Sequence, residues 1–177
     1  MLRWLLAHGA DPTLASLNGK YTILHCAAQY ATIPCLSLLL AAAPNAIMPG
    51  SPSTDVVFHA TTSHSSKNNR MAIIHYLLDN GAPIDMVAGC GKYEDQEAPF
   101  IDLLAYGRKT ALHWAVEHGQ VDVVEALLDR GADARRKTWS LATKMKWVSI
   151  EELAMICGQH AVTEALISYA IKKETDE

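Results

Sequence analysis

The chain has 177 residues, half of them apolar and 19% charged, which is enough apolar material to bury a sizeable core in one structural unit. Fifteen basic against nineteen acidic side chains leave a net charge of −4, so charge gives no reason to expect nucleic acid or an anionic membrane as the main partner. Cys26, Cys35, Cys90 and Cys157 lie far apart with no CxxC pair and read as reduced thiols of an intracellular, cytoplasmic or nuclear protein.

The opening MLRWLLAHGADP is apolar for too few residues to be a secretory segment. Its Leu5, Gly9 and Asp11 have the spacing that recurs in Leu127, Gly131 and Asp133, so residues 1–12 read as the second half of a helix pair. A half unit leaves apolar surface uncovered. The expectation is therefore that the array extends beyond Met1, or that a partner or another copy of the chain covers this end.

Thr22-Ile23-Leu24-His25-Cys26-Ala27-Ala28, a turn near Ala31 and the run Ile33 to Leu40 predict a second unit over about 18–46. Pro34 falls in the first turn of its second helix, where a missing N–H costs little. The greasy run Leu36 to Ala43 stops at Pro44, far below a membrane span.

A third unit, over about 50–86, is clearer at its back than at its front. Ile73 to Ala82 matches Val123 to Ala132 at an offset of 50, and the first helix is placed at Asp55 to Thr61, with Thr54 as cap, at an offset of 56. The six-residue difference predicts an inserted loop at 62–69, polar and poor in packing residues. A second insertion spans 87–106, acidic and flexible in its middle, with Pro99 to Tyr106 carrying apolar residues at the spacing of a short helix.

Thr110 to Asp133 is the best-formed stretch. Thr110 caps a helix that carries Leu112, Ala115 and Val116 inward, Gly119 breaks it, and a second helix follows with Val123, Val124, Leu127 and Leu128 on one face, giving a unit over about 107–134. A last unit, over about 146–170, maps onto it at an offset of 39. Ser149 and Glu152 predict a capping box, and the polar tail from Lys172 to Glu177 reads as a finished C-terminal cap.

Thr110-Ala111-Leu112-His113-Trp114-Ala115 and Leu127-Leu128-Asp129-Arg130-Gly131-Ala132-Asp133 resemble the two ends of an ankyrin repeat, Thr-Pro-Leu-His-x-Ala and Leu-Leu-x-x-Gly-Ala-Asp, lacking only the proline. The resemblance implies an all-α, ankyrin-type solenoid of helix-turn-helix units with hairpin-like fingers, a single array of four repeats and a leading half over 1–177. It implies a non-catalytic module that binds a partner protein in a groove formed by repeat turns and first helices. On this chain those positions are Tyr21, Gln29 and Tyr30, and Lys109, Trp114, Glu117 and His118. Aromatic and charged side chains there suit interface anchors, with Trp114 as plain core the alternative. The resemblance also gives His25 and His113 a structural role, bonding locally and to the adjoining turn.

Chemistry is not expected. His113 and His118 are five apart, about 140 degrees around a helix, and Cys157 and His160 have no second pair with metal-ligand spacing, so no metal site is expected. No nucleophile elbow, phosphate-binding loop, kinase or zincin signature occurs, which leaves no enzyme and no cofactor. Cys26, beside His25, stands at the position of Trp114 and reads as a core or groove residue.

Two fingers flank the best unit with opposite charge. One holds Asp85, Glu94, Asp95, Glu97 and Asp102; the other, 134–148, holds Arg135, Arg136, Lys137, Lys144 and Lys146 between Trp139 and Trp147. Arg135 and Arg136 are added to the partner-binding set, although exposed pairing between the fingers is the blander explanation. Two other function classes remain: the targeting or regulatory portion of a larger enzyme or signalling protein, and single-stranded nucleic-acid binding through the basic finger.

Overall fold

The structure is a computed structural model that describes residues 1–16, 21–51, 53–63, 66–88, 108–139, 143–144 and 146–176. The helix expected at Pro99 to Tyr106, the acidic run Gly89 to Glu97 and Cys90 lie outside these residues. The chain divides into two compact units, 1–97 and 98–177. Among the described residues the fold is all-α, with two isolated antiparallel bridges, Ala15 to Thr22 and Thr138 to Val148, the second of them inside the finger expected at 134–148.

The first unit contains α1 (Leu2–Ala7), α2 (Ile23–Tyr30), α3 (Ile33–Ala42), α4 (Val56–Thr61) and α5 (Lys67–Asp79). Thr32 precedes α3 and Pro34 lies in its first turn, where the ring's fixed φ suits a helix start. Helices this short do not hold their shape alone in water. Here α2 packs on α3 and α4, α4 on α5, and α3 on both α1 and α5. The shared core is Leu24, Leu36, Leu39, Ile47, Phe58, Ile73, Ile74 and Leu77, all under 3% exposed, each worth about 1.5–3 kcal/mol when buried. By contrast α1 buries none of its residues; Leu2 and Leu6 are half-buried, while Trp4 is 61% exposed.

Two expectations for this unit are corrected. The N-cap of α4 is Asp55, not Thr54, which reduces the offset from α4 to the reference helix by one and sets Ala60 opposite Ala115; both are fully buried. The loop expected at 62–69 ends early, because Ser66 caps α5 by accepting a hydrogen bond from the Asn69 N–H and the helix begins at Lys67. Asn69 Nδ2 donates to the Ala31 carbonyl at 3.2 Å, so the extra turn is anchored on the turn after α2.

The second unit contains α6 (Ala111–Glu117), α7 (Val121–Asp129), α8 (Ile150–Ile156) and α9 (His160–Asp176). Gly119, at φ +66, makes the left-handed turn between α6 and α7 that other residues adopt at a cost. Leu112, Val116, Val123, Val124, Leu127, Leu128, Ile150, Leu153 and Val162 form the core. The finished C-terminal cap is not found: Met155, Ile156, Ile167 and Ile171 are 51–63% exposed. The tail is helical to Asp176, so its polar residues extend α9 without covering that apolar face. No helix among the described residues is long and apolar enough to cross a membrane.

Candidate functional site

In both units a Thr-x-x-His segment opens a helix in the same way. The Thr22 N–H donates to His25 Nδ1 at 2.9 Å, and the Thr110 N–H donates to His113 Nδ1 at 3.2 Å. Accepting at Nδ1 fixes the neutral ring as the Nε2–H tautomer. His113 Nε2 then donates to the Arg136 carbonyl at 3.0 Å, a local bond and a turn bond together, as the ankyrin resemblance implies. Burial, together with the Arg136 and Lys109 charges, holds His113 down at about 4, against a weaker upward pull from its bond to Arg136.

His25 makes the local bond but not the turn bond. Its Nε2 donates to Asp55 Oδ1 at 2.8 Å, and Asp55 Oδ2 lies 3.7 Å from His59 Nε2. Asp55 stands at the N-cap position, yet its carboxylate makes no capping bond to its own helix; it is turned toward the two histidines. Tyr21 packs edge-on against both imidazoles, with ring centroids 5.9 Å from His25 and 5.4 Å from His59. Burial raises the Asp55 carboxyl, but the hydrogen bonds and charges of His25 and His59 outweigh it and hold the group well below the carboxylate range. His25, Asp55 and His59 are 1%, 4% and 6% exposed. Sequence reading missed this cluster; the usable signal is an acid at one N-cap with a histidine four residues on, so that both face the preceding repeat's histidine.

The residues expected to bind a partner are placed unevenly. In the first unit Tyr30 is 66% exposed. Gln29 is half-buried, with its amide donating to Thr62 Oγ1 at 3.1 Å, and Tyr21 faces the histidine cluster. Cys26, next to His25, is exposed.

In the second unit Trp114 is half-buried and stacks on exposed His118 with centroids 4.0 Å apart and planes 18° from parallel. His118 Nδ1 also lies 3.0 Å from the Trp114 carbonyl oxygen, which fixes the ring over the indole. Lys109 is 5% exposed; it forms an ion pair with Glu117 and sits 5.5 Å from the Trp114 ring centroid. Lys109 is thus buried and paired, whereas His118 is exposed and Trp114 half-buried. Arg135 and Arg136 are exposed. In the same finger the Trp139 and Trp147 rings meet edge-on at 6.4 Å, with Trp147 56% exposed.

Residues 53–138, which include Asp55 and His59 but not His25, and Arg135 and Arg136, match the family model for ankyrin repeats (3 copies). No curated protein matches the chain. Ankyrin repeats are generally protein–protein interaction modules and typically carry no catalysis. The matched segment takes in α4 to α7 and the histidine bond that ties α6 to its following turn, and the chain carries ankyrin repeats over these residues.

Proposed function

We propose that the chain recognises a partner protein through the Trp114–His118 surface of the second unit, with Arg135 and Arg136 beside it in sequence order after α7, and through Tyr30 and Gln29 in the first. The observation that carries this reading is the fixed aromatic pair. An indole and an imidazole stacked at 4.0 Å, with a buried, paired cation 5.5 Å from the indole centroid, form a contact surface whose rotamers are set before binding. Preorganised aromatic anchors lose little side-chain entropy on association. Catalysis is not part of this reading, and neither is a cofactor in the groove.

The test is affinity capture from the native cell with the parent chain and with Trp114→Ala, His118→Ala and Tyr30→Ala variants. Glu117 is left in place because its removal would strand buried Lys109 without its carboxylate. A partner lost with Trp114→Ala and His118→Ala supports the reading. A partner set unchanged by all three substitutions overturns it.

A second reading rests on Trp139 and Trp147 among the exposed cations of the 134–148 finger. It predicts that single-stranded nucleic acid is retained with steep salt dependence and is released by Arg135→Glu with Arg136→Glu. An acidic protein partner lost in that double variant would instead add the finger to the protein-binding surface.

A further inference from the structure

We propose that His25, Asp55 and His59 form a binding site for a first-row divalent transition metal of the zinc class. The comparison with His113 carries the argument. At the same position of its repeat, with the same tautomer, His113 is satisfied by one backbone carbonyl, so the fold needs no carboxylate there. The first unit supplies one nevertheless, adds a second histidine, and buries all three residues to 6% exposure or less.

The donor set is two imidazole nitrogens and a carboxylate oxygen, a combination that suits zinc and its neighbours better than magnesium or calcium. One ligand atom from each of the three residues lies within 4.8 Å of the other two, and both Nε2 atoms face the carboxylate, His25 at 2.8 Å from Oδ1 and His59 at 3.7 Å from Oδ2. A tetrahedral ion with bonds near 2.0–2.1 Å needs its ligand atoms about 3.3 Å apart, so the 2.8 Å contact opens slightly and the wider ones close. Asp55 is the hinge of the set. Its carboxylate spends nothing on capping α4.

Coordination through His25 Nε2 requires the ring proton to sit on Nδ1. Thr22 Oγ1, 3.2 Å away, accepts it and turns its own hydrogen to Ser53 Oγ at 2.6 Å, while the Thr22 amide gives up its bond to Nδ1. A ligating histidine oriented by such an outer chain is the usual arrangement around zinc. Tyr21 packs edge-on against both rings and restricts their rotation.

The test uses the full chain, stripped with chelator and titrated with Co2+ and then Zn2+. The expected result is one Co2+ per chain with the visible bands of a low-coordinate nitrogen and oxygen site, displaced by Zn2+ and lost in His59→Gln and Asp55→Asn variants that keep the parent's circular dichroism. A parent chain with no such spectrum overturns the proposal and leaves a hydrogen-bonded staple. So does a spectrum retained by His59→Gln, which would move the uptake to surface groups such as His118 or Cys157. Should both variants unfold, the parent decides by NMR: Co2+ broadening of the His25 and His59 ring signals before that of His113 supports the site, and uniform or absent broadening overturns it.

Discussion

His113 and Arg136 are joined by a 3.0 Å hydrogen bond from Nε2–H to the backbone carbonyl, which ties the start of α6 to the turn that leaves α7. The bond exists in the neutral ring, and His113 is held at about 4 against 6.5 for an unperturbed histidine. Its folded value is depressed, so the unfolded chain takes up a proton first as pH falls. Stability is complete above about 6.5 and is lost progressively down to about 4, by up to about 3 kcal/mol. Urea unfolding followed by tryptophan fluorescence at pH 7 and pH 5 checks this. His113→Gln should lower stability at pH 7 and remove most of the difference between the two pH values.

The Thr110 to Asp133 unit was legible almost to the residue, because cap, apolar stripe and glycine break are all local signals: α6 runs Ala111–Glu117 and α7 Val121–Asp129. The capping box at Ser149 was readable for the same reason. The buried His25, Asp55 and His59 cluster was not, since Asp55 and His59 lie 30 and 34 positions beyond His25 and their meeting with it depends on the register of α4. One residue of register, Asp55 in place of Thr54 as cap, decides whether a carboxylate faces His25. The burial of Lys109 was not legible either, because it depends on an ion pair with Glu117 at the far end of the helix that follows it.

Gly119 and Gly131 are left-handed, at φ +66 and +88, yet they should differ in tolerance. A Cβ on Gly131 meets nothing within 4 Å, so Gly131→Ala should cost only the backbone strain, about 1 kcal/mol. A Cβ on Gly119 would fall 2.3 Å from Gln159 Oε1 and displace the amide that donates to the Glu117 carbonyl at 3.1 Å. Gly119→Ala should therefore cost about 1 kcal/mol more. In a Gln159→Ala background that excess should vanish; if denaturant melts show it persisting, the clash is not its source.

Ser149 and Glu152 satisfy each other's backbone at the start of α8. The Ser149 N–H donates to Glu152 Oε2 at 2.7 Å, and the Glu152 N–H donates to Ser149 Oγ at 3.3 Å. Ser149→Ala should destabilise the second unit by about 1 kcal/mol, and Ser149→Asp should restore most of it. Thermal unfolding of the three proteins at equal concentration measures the series. An alanine variant as stable as the parent would mean that packing of Ile150 alone holds the helix start.

Leu128 and Ile167 occupy the same position of successive repeats, as do Val116 and Met155, yet their surroundings are opposite. Leu128 is 1% exposed and Val116 fully buried, whereas Ile167 is 55% and Met155 63% exposed. The first pair is covered because α9 packs on α7 and α8 on α6, with Tyr169 donating to the Leu128 carbonyl at 3.2 Å; the second pair has no such helices against it among the described residues. Leu128→Ala should thus cost about 2–5 kcal/mol, transfer and cavity terms together. Ile167→Ala should stay within about 0.5 kcal/mol. Chemical unfolding of the two variants over a range of protein concentrations is the measurement. If Ile167→Ala costs as much as Leu128→Ala, and the cost grows with concentration, then the outer face of α9 is buried in solution by another molecule of the chain.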